Sequence, residues 1–127
     1  MAVIDIFYRL SRTPPGSALA AWLFRTMNFA LPLEHLHETD SLLAFYHPKP
    51  TYPFHVLLVP KRKVTSLETL STEDNPFLSD VFTTTQILVR RFNLEMIGYR
   101  LIVNGGKYQE FGLIHFHLIS DEIPGLN

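Results

Sequence analysis

Two imidazoles, His115 and His117, stand two apart in the stretch GLIHFHLIS, residues 112–120. Side chains of an extended strand alternate between faces, so Leu113, His115, His117 and Ile119 are expected on one face and Ile114, Phe116 and Leu118 on the other. The second set is wholly apolar and is expected to pack on a helix. The first set brings two imidazoles together. A neutral imidazole, with a pKa near ~6.5, offers a lone pair at neutral pH and can serve as nucleophile, base or metal ligand. Asn104, Gly105, Gly106 and Gln109 lie just upstream. They supply side-chain amides and backbone that can approach a substrate closely. The same residue types suit a buried structural histidine pair, and the pattern by itself leaves both readings open.

The elements that must position these groups follow from periodicity. Residues 33–40 (LEHLHETD) and 41–48 (SLLAFYHP) read as two short strands joined tightly. Residues 54–60 (FHVLLVP) form a strong strand, apolar on both faces apart from His55. Between them PKPTYP, with three prolines, must be a loop. Residues 71–94 give the clearest helix. Asp74 or Asn75 can cap it, Pro76 suits its first turn, and Leu78, Val81, Phe82, Thr85, Leu88 and Phe92 form its apolar stripe. Residues 99–106 (YRLIVNGG) are a strand ending in a diglycine turn, and residues 113–120 are the last strand. Residues 1–30 read as a helical extension broken at TPPG, with Ser17 as the second helix's N-cap and Trp22 a core or interface residue. Residues 31–127 make the main domain. The order of strands and helix predicts an α+β fold with a five-stranded, mainly antiparallel sheet and one long central helix.

Composition narrows the function. At 127 residues, 46% of them hydrophobic, the chain can bury a real core. Its net charge of −1 provides no global field for nucleic acid or an anionic membrane. The absence of cysteine excludes disulfides, thiolate catalysis and cysteine-held metal, and fits a cytoplasmic setting. No apolar run reaches the ~20 residues of a membrane span.

Residues 40–64 (DSLLAFYHPKPTYPFHVLLVPKRKV) and 98–120 (GYRLIVNGGKYQEFGLIHFHLIS) resemble the two halves of the histidine-triad (HIT) family, in order and with the helix between them. The resemblance implies a nucleotidyl hydrolase or transferase of the Hint-like or dinucleoside polyphosphate hydrolase-like branch. It acts on a nucleoside phosphoramidate or dinucleoside polyphosphate through a nucleotidyl-histidine intermediate. By that resemblance His115 is the nucleophile on the α-phosphorus. Asn104, Gln109, His117, His55 and His47 surround the phosphate or nucleotide. The implied partner is a purine nucleotide or dinucleotide. No cofactor or resident metal is required for imidazole attack, although a polyphosphate substrate would bring a divalent cation with it. Many members pair through the central helix and the strand after it, so a homodimer is expected. The alternative is a nucleotide-binding module without turnover.

The chain departs from the family pattern at several positions. Leu113 replaces the first of the three alternating histidines. His47 stands where an acidic residue often meets the ribose hydroxyls, and Glu110 where a phosphate-contacting serine occurs. A different class, the cupin-type barrel, would use His115, His117 and Glu122 to hold a metal. It would want glycine at position 109 and a second, later histidine motif, and it would not contain the long helix. EHLHE (residues 34–38) places His35 and His37 as metal ligands or as the solvated face of an edge strand. KRK (residues 61–63) reads as a phosphate contact or a solvated strand end.

Overall fold

The computed structural model describes residues 35–125, so the helical extension expected over residues 1–30 lies outside the described residues. Five strands and one long helix make up the described fold: β1 (His35–Glu38), β2 (Leu42–Tyr46), β3 (Phe54–Pro60), α1 (Asn75–Arg91), β4 (Arg100–Val103) and β5 (Phe116–Ser120). The strands form one sheet in the order β1-β2-β3-β5-β4. Every neighbouring pair is antiparallel. The α+β architecture read from the sequence is therefore the one observed.

Alternation along the strands divides the sheet into two faces. Leu42 and Ala44 of β2, Val56 and Leu58 of β3, and Phe116 and Leu118 of β5 join Phe77, Val81, Leu88 and Val89 of α1 in one buried cluster, as does Ile114. The rings of Phe77 and Phe116 meet with centroids 6.0 Å apart. Burial of each such side chain contributes about 1.5–3 kcal/mol, and this contact fixes α1 against the centre of the sheet. The helix turns slightly differently from its expected stripe. Phe82 is 59% exposed, while Phe77, Thr84 and Val89 are buried in its stead. The buried arc is centred on Val81, Thr85 and Leu88, and Phe82 lies past its edge.

Asp74 precedes α1 but its carboxylate does not cap it. It turns back to accept from the Ser71 N–H at 3.0 Å and pairs with Arg62 at 3.1 Å. Lys61 pairs with Glu38 at 2.6 Å. Lys61 and Arg62, two residues of the basic KRK stretch, are thus committed to ion pairs within the fold. Asp80 on α1 accepts from the hydroxyls of Thr39 (2.7 Å) and Ser41 (2.6 Å), latching the β1–β2 turn to the helix. These hydrogen bonds, Ser41's first and then Thr39's, hold the Asp80 carboxyl below its ordinary range.

The other sheet face carries the histidines. In β3 it bears His55, Leu57 and Val59, and in β5 His117 and Ile119, all of them buried. The register sets Leu57 opposite His117 and His55 opposite Ile119, so the two imidazoles are diagonal neighbours on adjacent strands.

Candidate active site

The last strand is shorter than its sequence pattern. β5 begins at Phe116, and the segment 113–115 passes the end of β3 with the Ile114 N–H bonded to the Val64 carbonyl at 2.8 Å. His115 is therefore held at the mouth of the sheet by its own segment. Its Nδ1 lies 2.8 Å from the carbonyl oxygen of Leu113. A carbonyl only accepts, so Nδ1 carries the proton and Nε2 the lone pair. That Nε2 is buried and has no hydrogen-bond partner among the described residues.

A second tautomer follows by the same logic. The Thr51 N–H, in the proline-rich loop before β3, donates to His55 Nδ1 at 3.2 Å. The proton of neutral His55 is then on Nε2, which is 2.8 Å from His117 Nδ1. His117 accepts there, and its own proton is left on Nε2, another buried atom without a partner. One loop amide thus orders two imidazoles. The pair of unpartnered atoms becomes one acceptor, His115 Nε2, and one donor, His117 Nε2–H. The two rings stand 4.9 Å apart, centroid to centroid.

His47 extends the group, its ring 4.4 Å from that of His55 and stacked at 6.3 Å on that of His117. Its Nδ1 accepts from the Lys49 N–H at 2.9 Å, so it too presents Nε2–H as a donor. All four imidazoles favour the neutral form. Burial pushes His117 down to about 3, helped by the neighbouring His115, His55 and His47. Burial likewise takes His55 to about 4, with His47 and His115 adding to the fall. His115 is lowered by burial against the opposing pull of the Leu113 carbonyl and Glu110. His47 is lowered by burial, with Glu110 acting in the opposite sense.

Gln109 has a different place from the histidines. Its Nε2 donates to the carbonyls of Thr65 (2.6 Å) and Phe111 (2.9 Å), so both amide protons are used within the fold. Phe111 in turn lies flat on the His115 ring, centroids 4.0 Å apart at 13°. Gln109 thus steadies the segment that packs against His115, and only its carbonyl oxygen remains to face a ligand. Asn104, just past β4, is half-buried and makes no side-chain hydrogen bond among the described residues. A cleft of about 660 Å³ adjoins this group, lined by Ser66, Leu67, Gly105, Gly106, Gln109 and Phe111 among others. That is within the usual size of small-molecule sites, roughly 300–1,000 Å³.

Phe111, Thr51 and Glu110 complete the surroundings. Strand alternation could not reveal the Phe111 contact, because residues 111–115 are not a strand. The acid grouped with His115 and His117 is Glu110, and the three residues place potential ligand atoms within 4.8 Å of one another. Neither Glu122 nor the His35–His37 pair belongs to such a three-residue group among the described residues. A bulge in the β1–β2 register between His35 and His37 interrupts the common face expected for them.

An antiparallel sheet with one covering helix, and histidines gathered where β3 meets β5, defines a histidine-triad type of architecture. Residues 29–122 match the HIT domain, and the chain belongs to the HIT family. It is similar to a HIT family hydrolase from Legionella pneumophila Philadelphia 1, with 28% identity and a TM-score of 0.66 over 72% of this chain and 84% of that one. A histidine triad nucleotide-binding protein from Candida albicans matches at 26% identity and a TM-score of 0.63, covering 81% of this chain and 77% of that one. An uncharacterized HIT-like protein of Chlamydia muridarum is 25% identical over 112 residues, 87% of this chain and 88% of the relative. No helix among the described residues is long and apolar enough to cross a membrane.

Proposed function

We propose that the chain is a nucleotidyl hydrolase or transferase that cleaves a nucleoside phosphoramidate or dinucleoside polyphosphate at the α-phosphorus. The observation that carries this reading is the buried, unpartnered lone pair of His115 Nε2 beside the unpartnered Nε2–H of His117. His115 Nε2 attacks phosphorus, and the bond to the amine or phosphate leaving group breaks with its electron pair. Water then cleaves the P–N bond to His115, releasing a nucleoside monophosphate and restoring the imidazole. The covalent step divides one displacement into two easier ones. His117 Nε2–H donates to a phosphoryl oxygen, where developing charge is best met by a fixed donor. His47 faces the nucleoside side and can only give a hydrogen bond in its neutral form, so sugar hydroxyls meet it as acceptors. Asn104 lies on the phosphate side, and Gln109 keeps the Phe111 segment in place.

Leu113 favours a second reading, a nucleotide-binding module without turnover, because the family histidine is missing there. The hydrolase reading is preferred because the partner that orients His115 is the carbonyl of residue 113 and not its side chain. Two copies are proposed to pair through β4, whose outer edge has no neighbour among the described strands, and through α1. A dimeric mass at micromolar concentration is the expected result. The test of function is AMP release from an adenosine phosphoramidate and from diadenosine polyphosphates. His115→Ala should lower it roughly 10³-fold or more. AMP binding without any release would establish the binding-module reading instead.

A further inference from the structure

We infer that Phe111 takes part in the reaction: its ring face stabilises the positive charge that the His115 imidazole carries while it is bonded to phosphorus. The kinetic part rests on the nucleotidyl transfer proposed above; the interaction of a charged His115 ring with Phe111 does not. Three observations carry it. The two rings lie with centroids 4.0 Å apart and planes only 13° from parallel. Neutral aromatic pairs favour offset or edge-to-face arrangements at roughly 4.5–7 Å, and the His115–His117 pair keeps to that pattern at 4.9 Å and 64°. A flat stack as close as that of Phe111 gains when one ring becomes cationic, because the face of a phenyl ring is the negative pole of its quadrupole. Phe111 is also only partly buried and stands outside the apolar cluster beneath α1, so core packing does not account for its place. Its backbone is pinned as well, since Gln109 Nε2 donates to the Phe111 carbonyl at 2.9 Å and to the Thr65 carbonyl at 2.6 Å.

Charge on that ring follows from its tautomer. His115 Nδ1 faces the Leu113 carbonyl at 2.8 Å and keeps its proton throughout. In the first step the Nε2 lone pair forms the bond to phosphorus, and the leaving group departs with the electron pair of the bond that breaks. An amine leaving group takes a proton from water in the cleft. The imidazole, substituted at Nε2 and protonated at Nδ1, then holds a full positive charge. His115 is 2% exposed, so bulk water cannot solvate that charge, and burial opposes it. The Leu113 carbonyl meets the charge at the ring edge and Phe111 meets it at one face. In the second step water bonds to phosphorus, the P–N electron pair returns to Nε2, and a proton of that water passes to solvent. The ring is neutral again. Phe111 therefore speeds the step that creates the charge and slows the step that removes it, and the nucleotidyl-histidine persists longer than it would beside an aliphatic side chain.

The experiment compares the full chain with Phe111→Leu and with mono-, di- and trifluorinated phenylalanine at position 111. Fluorination keeps the shape of the ring and progressively empties its face of negative charge. AMP release from an adenosine phosphoramidate is resolved into its burst and steady phases, and the nucleotidyl-enzyme is isolated and its hydrolysis timed. In Phe111→Leu the burst rate should fall about five- to thirtyfold, with graded losses along the fluorinated series, while hydrolysis of the nucleotidyl-enzyme should become faster. Both rates falling together, or a loss with leucine and none with fluorinated rings, would mean that Phe111 only props the imidazole, and would overturn the inference. A second readout needs no turnover. NMR titration of the His115 ring should show its second proton taken up at lower pH with each added fluorine. The titratable groups around it, Glu110, His47, His55 and His117, are the same in every variant. A titration unmoved by fluorination would overturn the inference whatever the turnover. A titration that moves in a chain releasing no AMP would retain the charge-stabilising contact and lose the hydrolase reading.

Discussion

Acid should unfold this protein through its histidines, and the effect can be sized. His55 and His117 titrate at about 4 and about 3 in the fold, against about 6.5 in an unfolded chain. Folded-state values lie below unfolded ones, so the unfolded chain binds more protons between them. Stability is then unaffected above about pH 6.5 and falls as pH drops through the window from 6.5 towards 3. At pH 5 each imidazole costs about 2 kcal/mol, from about 1.5 pH units at 1.36 kcal/mol each, or about 4 kcal/mol for the two. That is a large share of the roughly 5–15 kcal/mol that holds a domain together. His115, also lowered, adds in the same direction. The assay is urea unfolding at pH 7 and pH 5 with a chelator present, for wild type and for His55→Gln/His117→Gln. The wild type should lose about 4 kcal/mol more than the double variant between the two pH values. Equal losses in both proteins would refute the argument, because burial would then not be holding these rings neutral.

Other consequences are as direct. Gly106 has φ +60° and Gly105 does not have a positive φ. Gly106→Ala should therefore cost about 1–2 kcal/mol in thermal or urea unfolding, and Gly105→Ala, with open space around its Cβ position, should stay within about 0.5 kcal/mol. Gln109→Ala removes two hydrogen bonds and should cost about 1–2 kcal/mol. It should also reduce the ring-current shift that Phe111 imposes on the His115 ring protons, read by NMR. Asp80→Ala should cost about 1.5–3 kcal/mol by urea unfolding, through loss of the β1–β2 latch.

Most of the frame was legible in the sequence because each strand is short, apolar and bounded by turn residues, and because one amphipathic stretch is long enough to be a helix. The error at Phe82 shows the limit. Helical spacing identifies a stripe, but which arc faces the sheet depends on partners such as Phe116. The histidines were legible as neighbours by the alternation expected over residues 113–120, although β5 itself begins only at Phe116, and by resemblance across to His55. Their tautomers were not, since these depend on a loop amide at Thr51 and a carbonyl at Leu113. Phe111 escaped for a related reason, and Glu110, singled out as standing at a phosphate-contacting position, was not read as the acid grouped with His115 and His117. The segment that carries them follows no repeat, and only its tie through Gln109 to Thr65 settles where they lie.

The 2.8 Å contact between His115 Nδ1 and the Leu113 carbonyl has a consequence for inheritance. Every amino acid brings the same carbonyl, so a missense change at codon 113 cannot delete the group that aims the imidazole. Drift from histidine to leucine at that codon leaves the aim intact, as would drift to another residue that keeps the segment's path. What the contact cannot survive is a change in chain length. Inserting or deleting one residue between 113 and 115 moves the carbonyl out of reach, and such a frame-preserving lesion should disarm His115 while leaving every histidine codon in place.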